Sequence, residues 1–220
     1  MYFINDIPRN VAINMAIDEI LFTYSNNKIP ILRIYYWDSI YITIGYFQKS
    51  RDIILPYQFV RRITGGLTVI HNYDISYCFV ISYPLWNVYN YSETYKNIHL
   101  AIYNSLKKIN IQPIICTNHA KIHNNQFCLN TVLNNDLILN GNKIVGSCLR
   151  RCKDKLIVQG SIHLHLSTIQ TQRFLKHFRK NIGIMLNMKV QQIQLSTDII
   201  KYAHTIMKIK YTNSQWNNKF

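Results

Sequence analysis

The run Arg61-Arg62-Ile63-Thr64-Gly65-Gly66-Leu67-Thr68-Val69-Ile70-His71 holds residue types well suited to chemistry. Paired glycines after a strand let the backbone approach a bound molecule closely, because no Cβ intervenes. The neighbouring arginines could hold an anion, and His71 could polarise a reacting group. A second run, Asn135 to Ser147, is centred on Asn140-Gly141. That pair suits the two positive-φ positions of a type I′ turn, so a tight hairpin is expected. The hairpin puts Lys143 at the head of an otherwise apolar strand, on one face with Val145, where it could point into a cleft. Cys128 precedes the hairpin, between Phe127 and Leu129. A cysteine becomes a nucleophile where positive charge stabilises its thiolate, and Lys143 is the candidate for that charge. Residue types alone equally fit an ordinary glycine turn with surface arginines, a solvated strand-end lysine and an inert buried cysteine.

A metal is not expected. Cys116, His119 and His123 have C-x2-H-x3-H spacing, and His163 and His165 share a strand face. A structural zinc wants four ligands and a catalytic zinc three plus water, and no clean fourth ligand is evident. The five cysteines (Cys78, Cys116, Cys128, Cys148 and Cys152) form an odd, irregular set. That argues against a disulfide framework and for a reducing compartment. The net charge is +15. It fits steering toward acidic partner proteins, binding to nucleic acid, or lysine drift in an AT-rich genome. The basic residues fall in scattered pairs such as Arg61-Arg62, Lys107-Lys108 and Arg150-Arg151. With no long basic run, nucleic acid is not the expected partner. No stretch has the apolar length of a membrane span, and the first residues lack the order of a secretory signal. A cytoplasmic protein is expected, or one of an organelle stroma or matrix.

The elements that must hold these residues read as follows. Asn10 caps a helix from Val11 to Tyr24, with Met15, Ala16, Ile20 and Tyr24 at helical spacing. Strands rich in β-branched and aromatic residues follow at 31–36, 40–44, 59–62, 68–71 and 75–82. Ser92 is a candidate cap for a helix running to about Lys108. The segment from Ile111 to Phe127 is polar and gives no clear pattern. The hairpin around Asn140-Gly141 precedes a strand at 156–166, and helices are expected over 168–186 and 197–209. Strands come mostly in runs, which predicts an α+β fold with a mixed or antiparallel sheet and flanking helices. At 48% hydrophobic content the chain can fill one core, so residues 1–212 are read as one domain and 213–220 as a frayed tail.

Taken in order, these segments resemble the lipoate–protein ligase and octanoyltransferase family. The match begins at Asn14-Met15-Ala16-Ile17-Asp18-Glu19 and continues through Leu32-Arg33-Ile34-Tyr35-Tyr36-Trp37 and Ile44-Gly45-Tyr46-Phe47-Gln48. The Arg-Arg-x-Thr-Gly-Gly segment ending at His71 follows, then Asp74-Ile75-Ser76-Tyr77. Last come Lys143-Ile144-Val145-Gly146-Ser147, Arg150 and Gly160-Ser161-Ile162. The resemblance covers roughly residues 10–165. It implies an α/β fold like the catalytic domain of biotin and lipoate ligases, with a mixed, largely antiparallel sheet. It also implies that Arg62, Thr64, Gly65, Gly66, Val69, Ile70, His71, Gly146 and Ser147 bind substrate, with Lys143 on the acyl carbonyl. Leu67 stands where arginine or glycine is usual, and Gln159 replaces a histidine often found before Gly160-Ser161.

The family holds two chemistries. Ligases activate lipoate with ATP and Mg2+ through an adenylate. Cysteine-type octanoyltransferases take octanoate from acyl carrier protein through an acyl-enzyme and need no cofactor. Cys128 falls fifteen positions before Lys143, where that second branch carries its nucleophile. The expectation is therefore octanoyl transfer with Cys128 and Lys143 as catalytic residues, and with Lys143 or His71 managing the acceptor's proton. The acceptor would be a lipoyl-accepting protein, either a glycine cleavage H protein or a 2-oxoacid dehydrogenase E2 domain. The alternatives are an ATP-dependent ligase and a non-catalytic binding protein on the same fold.

Overall fold

The computed structural model describes residues 1–25, 29–53, 56–117 and 127–220. Strand β1 (Tyr2–Arg9) leads into helix α1 (Val11–Tyr24), where Asn10 caps the first turn by accepting from the Ile13 amide. β2 (Ile31–Trp37), β3 (Tyr41–Ile44), β4 (Phe59–Arg61), β5 (Val69–His71) and β6 (Ile75–Ser82) follow. Helix α2 (Tyr91–Lys107) is capped by Asn90, which accepts from the Glu93 amide, so Ser92 lies inside the helix rather than at its cap. β7 (Ile114–Ile115), β8 (Leu137–Leu139), β9 (Asn142–Cys152) and β10 (Lys155–Ile162) come next. Between β8 and β9, Asn140 and Gly141 have φ of 51° and 78°, as a type I′ turn requires. The chain then runs through α3 (Thr168–Met185), β11 (Gln191–Ile193), α4 (Thr197–Ile206) and the short α5 (Ser214–Asn217). A Ser167–Gln170 capping box opens α3.

Among the described residues eight strands form one sheet in the order β11-β1-β2-β6-β10-β9-β8-β7. β1 runs parallel to β2 and to β11, and the remaining pairs are antiparallel. A second sheet, β4-β3-β5, is smaller. The fold is thus a mixed, largely antiparallel sheet with helices on both faces. Alternation along the strands sorts side chains to the two faces. Leu32, Ile34, Tyr77, Phe79, Leu156 and Val158 pack with α2 and α3 residues such as Ile98, Ile102, Phe174 and Phe178. Tyr35, Cys78, Val80 and Ile157 pack with Met15 and Ile17 of α1, together with Ala203 and Tyr211. No helix among the described residues is long and apolar enough to cross a membrane.

Residues 213–220, expected to fray, are tied down. The Arg61 guanidinium donates to the carbonyls of Trp216 and Asn217, and the Trp216 indole donates back to the Arg61 carbonyl. β1 is likewise absent from the sequence-based expectation. Asn5, Asp6 and Pro8 interrupt its alternation, and its pairing with β2 shifts register between Asn5 and Pro8.

Candidate active site

A narrow pocket lies between the large sheet's α1 face and the small sheet. Tyr35, Ser76, Gln159, Ser161, Gly146 and Cys148 supply one wall from four adjacent strands. Thr43, Arg62, Val69 and His71 supply the other, with Met15 and Cys128 completing the lining. The cavity holds about 20 Å3. That is room for roughly one water, so a longer guest must displace side chains.

Cys128 and Lys143 come together here. Cys128 opens a 3-10 turn, Cys128–Asn130, and its amide donates to the Thr68 carbonyl at 2.8 Å. This ties the cysteine to the glycine loop. Lys143 is buried, with its Nζ 2.7 Å from Asp136 Oδ2 and donating to the Thr131 carbonyl at 2.9 Å. Asp136 is in turn held by the Tyr95 hydroxyl and the Leu133 amide. Gly146 marks the meeting point. The position its missing Cβ would take lies 3.1 Å from Cys128 Sγ and 3.1 Å from Lys143 Nζ. A thiol and an ammonium on either side of one glycine can support a thiolate nucleophile.

The strand geometry behind this meeting corrects one expectation. Leu137 pairs with Val145 but Ile138 with Lys143, so Ile144 is an extra residue in β9. Such a bulge re-aims the side chains that precede it. Lys143 therefore reaches Gly146 on the pocket face, while Val145 packs into the α2–α3 core.

Other expected site residues divide. Val69 and His71 line the pocket, but Ile70, between them on β5, points away and is 37% exposed beside Phe127 and Leu129. Ser147 also leaves the pocket. Its hydroxyl meets His99 Nε2 at 2.6 Å and the Tyr77 hydroxyl on the opposite face. Both departures follow from period-two alternation beside residues that do face the pocket.

The arginines build the loop rather than wait for an anion. Arg61 donates to the carbonyls of Gly45, Tyr46 and Gln48. Arg62 donates to those of Thr43, Gly65 and Leu67, and to Thr43 Oγ1 at 2.7 Å. Thr64 is buried and donates to Gln159 Oε1 at 2.8 Å, while Gln159 Nε2 donates to the buried Asp18 at 2.8 Å. The glutamine therefore braces the loop against α1. Gly65 is half-buried with open space where a Cβ would project. Gly66, at φ 86°, lies so close to Cys148 that a Cβ would be 2.0 Å from its Sγ.

His71 has defined partners on both ring nitrogens. Nδ1 lies 2.9 Å from Asp74 Oδ2, and Nε2 lies 2.8 Å from Thr43 Oγ1. Trp37 stacks on the ring at 4.0 Å and donates to Ser76 Oγ, which in turn donates to Asp74. Burial alone would push the Asp74 carboxyl up, but His71, His163 and the Ser76 hydroxyl outweigh it and hold the group well below the usual range.

Thr43, Cys148 and Asp136 were missed by sequence reasoning. Cys148 was legible as the residue two past Gly146 on one strand, hence on its face. Burial pushes its thiol up against the opposing pull of Arg62, which favours the neutral form. Among the described residues no group of three or more His, Cys, Asp and Glu gathers where it could hold a metal, and the candidate ligands His119 and His123 lie outside them.

A family model described as the lipoyl protein ligase A/B catalytic domain matches residues 10–200. The octanoyltransferase LipM of Carboxydothermus hydrogenoformans is 30% identical over 185 residues, covering 79% of this chain and 68% of its own. That of Bacillus subtilis is 23% identical over 271 residues, covering 99% and 97%. Among solved structures, a lipoate-protein ligase A bound with ATP aligns with a TM-score of 0.79 at 17% identity, covering 99% of this chain and 98% of its own. A bi-partite lipoate protein ligase from Thermoplasma acidophilum aligns with a TM-score of 0.75 at 17% identity, covering 99% and 95%. At such identities the structural likeness concerns the fold.

Proposed function

The chain belongs to the lipoyl protein ligase A/B catalytic-domain family, and from that premise we propose that it is an octanoyltransferase working through a thioester on Cys128. The donor is acyl carrier protein, and the acceptor is a lysine of a lipoyl-accepting protein. The relatives named octanoyltransferase support the reaction class. The observation that carries the mechanism is the approach of Cys128 Sγ and Lys143 Nζ to the same side of Gly146.

In the first step the Cys128 thiolate attacks the octanoyl thioester, and the carrier's thiol leaves with a proton. One thioester replaces another, so the exchange is near thermoneutral and needs no ATP. The Lys143 ammonium, fixed by Asp136 and the Thr131 carbonyl, faces the developing negative charge without having to reorganise. In the second step the acceptor amine attacks the acyl-enzyme and Cys128 is released. Val69 and Met15 offer apolar surface to the alkyl chain, at roughly 0.8 kcal/mol per buried methylene. Because the cavity is narrow, the chain enters by moving side chains, and an unbranched thioether such as Met15 adapts at low cost. Cys148 shares the pocket but favours its neutral form.

Intact-protein mass spectrometry after incubation with octanoyl–acyl carrier protein, without ATP, tests this. An adduct retained in Cys148→Ser and lost in Cys128→Ser is expected. Loss of the adduct in Cys148→Ser alone would move the nucleophile to the second thiol. No adduct, with ATP-dependent loading of an acceptor from free lipoate, would replace the reading with a ligase.

A further inference from the structure

The second half-reaction has an unmet requirement. An acceptor lysine arrives as an ammonium and must lose a proton before it can attack. Lys143 is poorly suited to take it. Held as an ammonium, it commits two of its three N–H groups to the Asp136 carboxylate and the Thr131 carbonyl. A group stabilised in its protonated form beside a buried carboxylate is not poised to accept another group's proton.

The pocket's opposite wall provides an alternative. We propose that Thr43, His71 and Asp74 form a relay that removes this proton, with Thr43 the group that touches the amine. The inference rests on the octanoyl-transfer reading above. Asp74 accepts from Nδ1, which fixes the His71 tautomer with its Nε2 lone pair toward Thr43. Thr43 Oγ1 receives a hydrogen bond from Arg62, so its own proton is directed at Nε2. A hydroxyl oxygen can accept twice, which leaves one lone pair for a pocket ligand. Thr43 and His71 both line the pocket that Cys128 enters.

The step balances. The acceptor ammonium gives a proton to Thr43 Oγ1 as the Thr43 proton passes to His71 Nε2. The freed amine pair forms the amide bond, and the C–S bond breaks to release Cys128 as thiolate. His71 is left as an imidazolium against Asp74, and it returns its proton to solvent or to the thiolate. The charged or titratable groups around His71 are Asp74 at Nδ1, Arg62 across Thr43, and His163, which interacts electrostatically with both His71 and Asp74. Trp37 covers the ring face without charge.

The test uses acyl-enzyme loaded from octanoyl–acyl carrier protein and follows its discharge. Thr43→Val should load like the wild type but transfer to the acceptor lysine about 10²–10³-fold more slowly. Thr43→Ser should restore transfer. Hydroxylamine, uncharged at neutral pH, should discharge Thr43→Val and wild type at the same rate. The deficit should shrink as pH rises and the acceptor amine arrives neutral. Asp74→Asn, which disturbs the tautomer and leaves Thr43 in place, should show the same selective loss. Wild-type transfer by Thr43→Val would overturn the relay. So would an equal loss of loading, lysine transfer and hydroxylamine discharge, which indicates a packing role. A wild-type chain that never forms the thioester overturns the underlying reading, and that failure is visible before any variant is made.

Discussion

Gly146→Ala is the sharpest probe of the Cys128–Lys143 juxtaposition. A Cβ there would sit 2.8 Å from Lys143 Cε, 3.1 Å from its Nζ and 3.1 Å from Cys128 Sγ. Ordinary contact begins near 3.4 Å, so each atom must retreat by roughly 0.3–0.6 Å. The end of a free lysine would move at little cost. This one is tied to Asp136 and to the Thr131 carbonyl, and Cys128 is tied through its amide to Thr68. The strain should cost about 1–3 kcal/mol of stability, as overpacking usually does. A misplacement of 1 Å can cost about a hundredfold in rate, so half of that predicts about a tenfold slower acylation. The assay is rapid-quench intact-mass measurement of adduct formation, with a parallel thermal melt to show that the fold persists. Alkylation of Cys128 by iodoacetamide should slow as well, because the ammonium is pushed off the thiolate. A folded Gly146→Ala protein that acylates and alkylates at the wild-type rate would refute the claim that these two groups act together at this point.

Three further outcomes are expected. Asp136→Asn leaves the Lys143 ammonium buried without its carboxylate, and urea denaturation should register a loss of about 3–5 kcal/mol; a loss under about 1 kcal/mol would mean that the pair matters little to the fold. Burial pushes the imidazoles of His99 and His163 down to about 4. The unfolded chain binds these protons near pH 6.5 and the folded chain only near 4, so stability should fall as pH drops through that window, by up to about 3 kcal/mol per histidine. Equal urea midpoints at pH 7 and pH 4.5 would contradict this, and His163→Gln should flatten the slope. Finally, if the +15 charge steers an acidic carrier, added salt should slow loading from octanoyl–acyl carrier protein but not from octanoyl-pantetheine. Equal salt responses would assign the charge to composition alone.

What the sequence made legible is what short-range physics decides. Asn10 caps α1 because a side-chain oxygen two or three residues upstream satisfies a free amide, and Asn140-Gly141 turns the chain because both residues tolerate positive φ. Cys128 and Lys143 were likewise visible as candidates. Their meeting was not, because it depends on the extra residue in β9 that carries Lys143 to the face of Gly146. Strict alternation read from the hairpin puts that lysine on the core face with Val145. The same alternation, applied outward from Gly146 and Val69, would have turned Ser147 and Ile70 away from the pocket. β1 escaped notice for a different reason. Its partners are β2 and the distant β11, and its own residues include a proline and an acidic side chain that local patterning assigns to a turn.

Thr43 illustrates the limit most clearly. In Tyr41–Ile44 it is one β-branched residue in an apolar strand, and nothing nearby in the chain distinguishes it. Its chemistry comes from Arg62 and His71, which reach it from other parts of the small sheet and its loop. A hydroxyl has no fixed direction of donation until its neighbours supply one. Here Arg62 occupies one lone pair and Asp74 fixes the His71 tautomer, so the direction of the Thr43 proton is set two residues away from Thr43 itself. A nucleophile and its charge partner can be nominated by residue type. A relay is defined by the order of donors and acceptors, and only the pairing of β3 with β5 brings Thr43 and His71 into that order.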